Sequence, residues 1–354
     1  MAQLRVATLN LRNLHVAGGQ RYSTDVPYTA EEYKRKRDWT AEAIRRANPD
    51  IIGLQELWSR EAIDSVFSQA DLDGQYSIAG PSLGDPNKIW NAIAVRKPHE
   101  LVSSGYKEDL PESLKLKKGN EPGPSGDSLH ISVNTKKFSR GVLRAKIRLA
   151  HSGSGPPLPD VVVFVAHLKS KRPMRLDAGN NPQPSKNKEA VGAALSTIKR
   201  TAEAAGLRFL ISSAQSESGT GGIGGRPVIV LGDLNDPQLS NTLNILTFQA
   251  PYRLREASGI GSASKWGLYS VSTLQELRSL RDVYYTYIYE GFRESLDHIL
   301  VSQHFYDHSS HRVWSFNHTR IFNDHLEEAD EGNDNEMPES DHALVEAIFD
   351  LNRA

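Results

Sequence analysis

The chain has 354 residues, of which 38% are hydrophobic and 24% charged, and its formal net charge at pH 7 is −1. This composition is ordinary for a soluble globular protein with a large core, and it excludes a global basic field that would draw the chain to nucleic acid. The absence of cysteine excludes disulfides, thiolate zinc sites and cysteine nucleophiles. No apolar run reaches the roughly 18 residues that a membrane span requires.

The first residues lead directly into a predicted strand, so the sequence as given contains no signal peptide. That favours the cytoplasm, but a cysteine-free chain also suits secretion after removal of a leader, and the compartment stays open. The sequence shows neither an internal repeat nor a linker between domains, so we expect a single domain over residues 1–354. No obligate protein partner is evident.

In chain order, the first predicted strand covers residues 4–10, with the alternation of an edge or half-buried strand. Residues 11–28 contain a Gly-Gly pair and a proline, and they are predicted to form a loop. Thr29 and Glu32 have the spacing of a capping box, which predicts a helix that ends near Ala47, before an Asn-Pro pair.

The rest of the chain is predicted to continue with strands and helices. An Arg140-Gly141 pair is expected to join antiparallel strands at 128–133 and 142–149, while residues 107–127 and 258–270 are predicted loops. The predicted helices cover residues 61–69, 188–205 and 241–248, and the other strands cover 50–56, 75–79, 91–96, 161–166, 227–231, 295–302, 312–317 and 343–349.

One stretch combines a buried strand with polar side chains of catalytic type. Residues 227–231 are apolar and mostly β-branched, Gly232 is predicted to end the strand, and Asp233 and Asn235 follow with one residue between them. On an extended backbone such side chains project the same way. A carboxylate that aligns a water beside an amide that donates to phosphate oxygens suits phosphoester hydrolysis. A turn in which both residues cap their own backbone explains this stretch alone equally well.

Other predicted strands also carry polar residues of catalytic type at or near their ends. A single residue of this kind is usually a cap, but strand ends gathered at one rim of a sheet are where α/β folds build their sites. Six such strands exceed what chance would give. The residues are Asn10, Glu56, His167, Asp233 with Asn235, Asp297, and Asp341 with His342.

Taken together, these residues resemble the endonuclease/exonuclease/phosphatase superfamily, the metal-dependent phosphohydrolases related to deoxyribonuclease I. The matching blocks follow the family's order from residue 4 to residue 349. The resemblance implies an α/β fold, a four-layer α/β sandwich of two packed mixed β-sheets flanked by helices. Residues 166–171 and 284–302 are most similar to bacterial nuclease-type members. The blocks are Thr8-Leu-Asn10, Gln55-Glu56, Ala-His167-Leu-Lys, Gly-Asp233-Leu-Asn235, Leu-Asp297-His and Ser-Asp341-His342.

The resemblance also implies a metal site at Asn10, Glu56 and Asp341. Carboxylate and amide oxygens are hard ligands, which suits Mg²⁺ or Mn²⁺, with Ca²⁺ as a supporting ion. A metal there would polarise phosphoryl oxygens and stabilise the leaving oxyanion. Arg140 and Lys169 are expected to contact phosphate, because both can donate hydrogen bonds to its oxygens.

The catalytic roles follow from the same resemblance. Asp233 is expected to align or deprotonate the attacking water, and Asn235 to hold the phosphate. His342 would lie beside the scissile phosphorus with Asp297 fixing its ring, as a carboxylate orients a histidine. His167 would donate to a non-bridging or leaving oxygen. Taken alone, His167 would more often be structural, and the other residues give it its predicted role.

Three alternatives stay open at individual residues. His298 could orient His342 in place of its neighbour Asp297, although alternation turns His298 to the other face of the strand. A zinc-binding face at His304, His308 and His311 would fit their spacing, but nothing else in the sequence supports zinc. Four tyrosines could stack bases or could pack across a strand. These are Tyr284, Tyr285, Tyr287 and Tyr289.

The sequence therefore predicts a divalent-metal-dependent phosphodiesterase, and among these a DNA endonuclease. The alternatives are a phosphatase or a small-molecule or lipid phosphodiesterase on the same scaffold, because fold does not fix the substrate. A catalytically inactive binding module is the third hypothesis. The complete set of metal ligands, water-aligning aspartate and oriented histidine argues against it. DNA is the expected partner.

Overall fold

The computed structural model describes residues 3–69, 71–81, 88–114, 116, 135–151, 157–176, 187–217, 225–248, 266–276, 285–289, 292–328 and 340–351. The predicted strand at 128–133 and most of the loop predicted at 258–270 lie outside these residues. Within the described ranges, no helix combines the length and the apolar character that crossing a membrane would need.

The described strands form two large sheets and a short hairpin. The helices are α1 (Ala30–Ala47), α2 (Arg60–Phe67), α3 (Lys188–Ser216), α4 (Asn241–Thr247), α5 (Val271–Glu276) and α6 (Asp324–Glu328). The strands are β1 (Gln3–Leu14), β2 (Ile51–Leu57), β3 (Tyr76–Ala79), β4 (Trp90–Arg96), β5 (Glu100–Asp109), β6 (Lys137–Arg148), β7 (Val161–Val165), β8 (Val228–Asp233), β9 (Leu268–Ser270), β10 (Tyr287–Tyr289), β11 (Phe292–Glu294), β12 (Asp297–Ser302), β13 (Trp314–Phe322) and β14 (Leu344–Leu351).

Both large sheets are mixed. Among the described residues, the first sheet has the order β13-β14-β1-β2-β4-β3 and the second has the order β5-β6-β7-β8-β12-β9. Strand β1 is parallel to β2, and β7 is parallel to β8, while the other pairs within the two sheets are antiparallel. Strands β10 and β11 form a separate two-stranded sheet, and Tyr287 of β10 also makes an isolated antiparallel bridge to His342.

Three apolar clusters fill the spaces between the layers of the molecule. Val6 of the first sheet and Leu231 of the second belong to the cluster that fills the space between the sheets. Ile44 of α1 belongs to the cluster on the outer face of the first sheet, and Leu207 of α3 to the cluster on the outer face of the second. The predicted α/β sandwich of two mixed sheets flanked by helices is therefore confirmed.

The layering explains why β7 is uninterruptedly apolar. Val163 and Val165 point into the space between the sheets, whereas Val162 and Phe164 point towards the helices of the second sheet. Successive side chains of a strand face opposite sides, so a strand covered on both faces needs apolar residues at every position. Its buried course leads directly to His167.

The first strand differs from its prediction in length and position. Strand β1 continues to Leu14 through the predicted loop, and it lies inside its sheet between β14 and β2, so the edge position was wrong. The prediction ended the strand at Asn10 because an asparagine followed by a glycine-rich segment indicates a turn. The pairing of β1 with β2 instead slips after Asn10 and resumes at Leu14. This shift of register lets the polar Asn10 lie inside a continuous strand.

The second sheet contains two further corrections. Arg140-Gly141 does not connect two strands but lies inside β6. Its glycine leaves room for neighbours on the paired strand, because an added Cβ would lie 3.3 Å from Glu108 Cγ and 3.4 Å from Tyr106 Cδ1. Residues 107–109, predicted as loop, belong to β5, whose polar and exposed pattern is that of an edge strand. Residues 268–270, also predicted as loop, form β9.

The helix predictions succeed where local caps define the ends. Thr29 Oγ1 accepts a hydrogen bond from the Glu32 amide at 3.2 Å, and Glu32 Oε2 accepts one from the Thr29 amide at 2.7 Å, so the capping box is confirmed. Asn48 ends α1 in the left-handed conformation. Helix α3 instead runs beyond its predicted end to Ser216, because the buried Gly206 continues the helix where Leu110 packs closely against it.

Candidate active site

The strand directions bring the candidate residues to one rim of the sandwich. The parallel pairs β1–β2 and β7–β8 each end at this rim, and β12 and β14 begin there because they run antiparallel to β8 and β1. Asp297 is the register partner of Asp233. The amide of Asn10 joins the two sheets, since its Nδ2 lies 3.3 Å from Glu56 Oε1 and 3.2 Å from Asp233 Oδ2.

Unusual backbone conformations accompany these residues. Glu56 and Asn235 have φ angles of 60° and 54°, in the left-handed region that non-glycine residues rarely adopt. Such positions cost free energy and concentrate at functional sites. Gly232 has a φ of 144°, and a Cβ there would overlap the carbonyl oxygen of Ala166. The glycine therefore serves the close approach of β7 and β8 and does not end the strand, which continues to Asp233.

Asp233 lies between two histidines on the rim of the second sheet. Its Oδ2 is 3.4 Å from Nε2 of His167 and 3.8 Å from Nε2 of His342. Nδ1 of His342 in turn lies 2.8 Å from Oδ2 of Asp297. The amide of Asp297 donates to Oγ1 of Thr286 at 3.2 Å, which fixes the start of β12. The result is a buried chain from Asp297 through His342 to Asp233.

Burial and charge set different protonation states for the two histidines. Burial lowers the pKa of His342, but the carboxylates of Asp297 and Asp233 outweigh it and hold the pKa well above its usual value. Burial lowers the pKa of His167 well below its usual value, and the positive charge of Arg140 adds to this effect. Burial also raises the pKa of Asp233, against the opposing effect of His342. His342 is therefore the charged imidazole and His167 the neutral one.

The first sheet contributes an acidic group. Glu56 Oε2 accepts a hydrogen bond from the Asn13 amide at 3.1 Å, and Oδ1 of Asn10 accepts one from the Arg12 amide at 3.0 Å. Burial raises the pKa of Glu56, and the neighbouring charge of Asp341 raises it further. The Asp341 side chain is 40% exposed and has the guanidinium of Arg12 3.9 Å away. Two carboxylates therefore share one edge of the site.

The predicted phosphate contacts lie on the second sheet and the loops that follow its strands. Asn235 Nδ2 and Arg140 Nη1 donate to the same carbonyl, that of Leu168, at 3.1 and 3.0 Å. The ammonium group of Lys169 is turned towards its own loop, where it donates to the carbonyl oxygens of Ser170 and Arg172. The structure thus brings Arg140 and Asn235 together on one carbonyl group, whereas the ammonium group of Lys169 binds carbonyl oxygens of its own loop.

The turn-capping interpretation of Asp233 and Asn235 describes a real contact, and it leaves one carboxylate oxygen of Asp233 for the site. Asp233 Oδ1 accepts a hydrogen bond from the Asn235 amide at 2.9 Å, which is the turn-capping contact. The other carboxylate oxygen, Oδ2, faces the two histidines. One oxygen of the carboxylate fixes its orientation, and the other faces the site.

Solved structures with the same arrangement of sheets and helices identify the fold. A humanized D. rerio TDP2 with 14 mutations has a TM-score of 0.54 at 13% identity, over 98% of this chain and 99% of that one. The human Nocturnin catalytic domain, solved with bound sulfate, has a TM-score of 0.54 at 16% identity, over 99% and 95%. This chain has the endonuclease/exonuclease/phosphatase fold. A protein of that family from Bacteroides vulgatus has a TM-score of 0.52 at 15% identity, over 99% and 100%.

Sequence comparisons add nothing to this result. No protein-family model matches the sequence, and no curated protein matches it. At 13–16% identity the solved structures show the endonuclease/exonuclease/phosphatase fold and leave the chemistry to the residues at the rim.

Two groups at the rim of this fold could hold a metal ion. Among the described residues, Asp233, Asp297 and His342 have ligand atoms within 4.8 Å of one another. In that group Nδ1 of His342 is already bound to Asp297, and its charged form has no lone pair to offer. Glu56 and Asp341 offer oxygen ligands at a partly open edge, and a divalent cation would relieve their mutual repulsion. The acidic edge therefore fits Mg²⁺ better than the histidine group does.

Several residues that organise the site escaped sequence analysis. Oγ of Ser340 donates to the carbonyl of Asn10 at 2.5 Å and accepts from the amide of His342 at 2.9 Å, so it ties β1 to the segment before β14. Its place beside Asp341 and His342 was a signal that could have identified it. Thr286, which anchors β12, had no such signal because its partners are set by the fold.

The histidines that the sequence offered as alternatives lie away from the residues gathered around Asp233. Nε2 of His298 lies 2.8 Å from the carbonyl of Asp236, on the other side of β12 from His342. His304 belongs to a 3₁₀ turn, and Nδ1 of its ring is 3.1 Å from Oγ of Ser302. His308 and His311 follow in turns instead of on a helix, so the three rings do not share one helical face, and the zinc alternative loses the spacing on which it rested. Tyr284 lies outside the described residues.

Proposed function

We propose that this protein is a divalent-metal-dependent phosphodiesterase. The observation that carries the proposal is the buried Asp233 carboxylate placed between His167 and His342, whose ring Asp297 fixes at 2.8 Å. Beside it, the acidic edge supplies hard oxygen ligands. A base, a neutral donor, a cation and a metal site are the parts that hydrolysis of a phosphodiester requires.

The roles of the residues follow from their contacts. Asp233 Oδ2 would accept a proton from the attacking water, while the Asn235 amide holds Oδ1 in place. His342 would stabilise charge on the phosphoryl oxygens, and Asp297 keeps its ring oriented and charged. His167 would donate its Nε2 proton to a phosphate oxygen. A divalent cation at Glu56, Asp341 and Asn10, which is Mg²⁺ or Mn²⁺ in our proposal with Ca²⁺ as a supporting ion, would supply further charge stabilisation.

An exposed aromatic hairpin beside His342 favours DNA as the substrate. The ring of Tyr287 lies 4.8 Å from that of His342, and the ring of Tyr289 is stacked 6.4 Å from Tyr287. Tyr289 and its cross-strand partner Phe292 are 58% and 72% exposed. Buried cross-strand packing does not explain rings that face solvent, whereas bases flanking the scissile phosphate could stack on them. One structure of D. rerio TDP2 with this fold is complexed with a single-strand DNA product.

A phosphatase or a small-molecule or lipid phosphodiesterase is the second candidate. The formal net charge of −1 favours it, because a polynucleotide enzyme gains affinity from a basic surface. A catalytically inactive binding module would have no use for the buried charges around Asp233, since isolated buried charges destabilise a fold. The proposed phosphodiesterase and the second candidate would both cleave phosphoesters at the same rim.

A substrate panel tests the proposal. Supercoiled plasmid, linear DNA, RNA, an inositol phosphate and a chromogenic phosphodiester are each incubated with Mg²⁺ and separately with a chelator. We expect cleavage of the plasmid and of the chromogenic diester in Mg²⁺ only, and loss of both in Asp233→Asn. Cleavage of the inositol phosphate alone would show that the substrate is a small phosphoester and not DNA. Absence of hydrolysis of every substrate in Mg²⁺ or Mn²⁺ would refute the phosphodiesterase.

A further inference from the structure

Two buried charged residues of α3 contact the loops of the second sheet. Glu203 is fully buried, and its carboxylate oxygens accept hydrogen bonds from the Ser139 amide at 2.7 Å and the Lys169 amide at 2.8 Å. Arg200, only 4% exposed, donates from Nη1 to the Lys169 carbonyl at 3.2 Å and from Nη2 to Asp236 at 3.3 Å. One turn of helix therefore holds β6, the segment after β7 and the segment after β8.

These contacts converge on a single carbonyl group. The amide of Leu168 donates to the carbonyl of Asp233 at 3.1 Å, and the next amide, that of Lys169, is the one that Glu203 binds. With both neighbouring amides fixed, the Leu168 carbonyl has one orientation, and it accepts from Arg140 Nη1 and Asn235 Nδ2. The helix thereby sets the positions of both side chains through the backbone between them.

Packing alone does not account for a fully buried glutamate at this place. Removing a carboxylate from water costs several kcal/mol, and a hydrophobic residue of similar volume would usually stabilise the fold as well or better. Glu203 has Lys199 at 3.6 Å and both of its oxygens bound to backbone amides of separate segments. Its geometry serves the relative placement of these segments.

We propose that Arg200 and Glu203 are positioning residues that align Arg140 and Asn235 as the phosphate-binding pair of the site. The inference rests on the proposed phosphodiesterase function and names a part of the site that binds the phosphate and not the metal. All their contacts described above lie with the second sheet and its loops, whereas the acidic edge belongs to the first sheet and to the segment before β14.

The test separates binding of phosphate from binding of metal. In Glu203→Gln the side chain keeps one acceptor oxygen and turns an NH₂ group towards a backbone amide, so one of its two contacts, to β6 or to the segment after β7, is lost. We expect the affinity of the Mg²⁺-loaded protein for inorganic phosphate, measured by calorimetry, to fall about tenfold, the order expected for one lost charge-assisted hydrogen bond. The KM for the chromogenic diester should rise similarly. Affinity for Mn²⁺ should stay within about twofold of wild type.

The matched control is Glu189→Gln, which makes the same change at an exposed position in the first turn of the same helix. Phosphate affinity in Glu203→Gln equal to that of the control would overturn the inference. A parallel fall in Mn²⁺ affinity would also overturn it, because it would show general damage to the rim. Arg200→Lys keeps the charge but loses the planar guanidinium, so it should lower the affinity for phosphate in the same way. This variant replaces Glu203→Gln in the comparison if Glu203→Gln does not fold.

Phosphate binding does not require turnover, so the two proposals can fail separately. Wild-type protein that binds phosphate but cleaves no diester would refute the phosphodiesterase, and the variant comparison would still decide the role of Glu203. Wild-type protein that cleaves the diester, with a KM unchanged in Glu203→Gln and in Arg200→Lys, would refute the positioning role alone.

Discussion

The two halves of the rim differ in how their charges are balanced. In the half formed by Asp233 and Asp297 of the second sheet together with His342, which precedes β14 of the first sheet, charges are buried and paired: the His342 ring lies between the carboxylates of Asp297 and Asp233, at 2.8 and 3.8 Å. On the first sheet, Glu56 and Asp341 carry charges of the same sign, and burial together with that repulsion raises the pKa of Glu56. The half around Asp233 has its charge partners within the protein, whereas the half with Glu56 and Asp341 is suited to bind a cation from solution.

This difference assigns separate duties to the two halves. A matched and buried group keeps its geometry and its protonation state, which is what proton transfer and charge stabilisation need. A pair of carboxylates at a partly exposed edge binds a hard cation and can exchange it with solvent. Asn10 contacts both halves, so its amide fixes the distance between them.

The largest effects are expected where the second half is broken. If Asp297 and His342 act as one unit, either Asp297→Asn or His342→Ala should lower kcat by roughly 10²–10⁴-fold, the range for a positioned acid–base group. The double variant should lose little more than His342→Ala alone. Steady-state kinetics on the chromogenic diester measures all four proteins. Losses that multiply would show that Asp297 does not act through His342.

The matched charges also predict a pH dependence of stability. The folded state raises the pKa of His342 above its usual 6.5, so the folded protein binds this proton more tightly than the unfolded chain. The stabilisation is complete below about pH 6.5 and is lost as pH rises through the folded pKa, by about 1.4 kcal/mol per pH unit within that window. Asp297→Asn removes the partner and should flatten this decline.

Urea unfolding of wild type and Asp297→Asn between pH 7.5 and 9, with a chelator present, measures the difference. Burial raises the pKa of Asp233 to about 7, so its own titration lies mostly below this range. Burial also lowers the pKa of Lys36 to about 7, but this residue is common to both proteins and cancels. Parallel stability curves would show that Asp297 does not hold the proton on His342.

The smallest expected effect concerns the surface around the second half. Lys171 and Arg172 are exposed beyond His167, and Lys171 already pairs with Glu294. If both touch duplex phosphates, the double change to alanine should flatten the log–log salt slope of DNA binding by up to roughly two units, at about 0.9 per contact. Arg45→Ala with Arg46→Ala removes the same charge in the last turn of α1, near the start of β2 and away from the rim, and should leave the slope unchanged. Equal slopes in all three proteins would exclude the 171–172 contact.

Sequence analysis found the residues of both halves because each stands at or near a strand end or in a short block. It also found the α1 capping box, since both partners lie within one turn. It did not find β5, a polar edge strand, or the role of Gly141 inside β6. A polar strand lacks the apolar alternation by which strands are recognised, and a glycine is ambiguous without its neighbours.

The supporting contacts were beyond prediction for a different reason. Glu203 binds amides 34 and 64 residues away in the chain, and Ser340 binds a carbonyl 330 residues away. A helical glutamate is an ordinary residue until the fold supplies its partners, and the place of Ser340 beside Asp341 and His342 points to the residue but not to its contact. Local sequence therefore identifies the candidate residues that the fold brings together at the rim better than it identifies the residues that position them.

The division of the rim is tested most directly by Mn²⁺ titration of the wild type, Glu56→Gln and Asp297→Asn, with free Mn²⁺ followed by electron paramagnetic resonance. Glu56→Gln should lower the affinity for Mn²⁺ by at least about 10–100-fold, because even changes to residues that only orient a metal ligand have effects of that size. Asp297→Asn should bind Mn²⁺ almost as wild type does. Retained affinity in Glu56→Gln together with lost affinity in Asp297→Asn would place the cation among Asp233, Asp297 and His342 and contradict the assignment of the metal to the acidic edge.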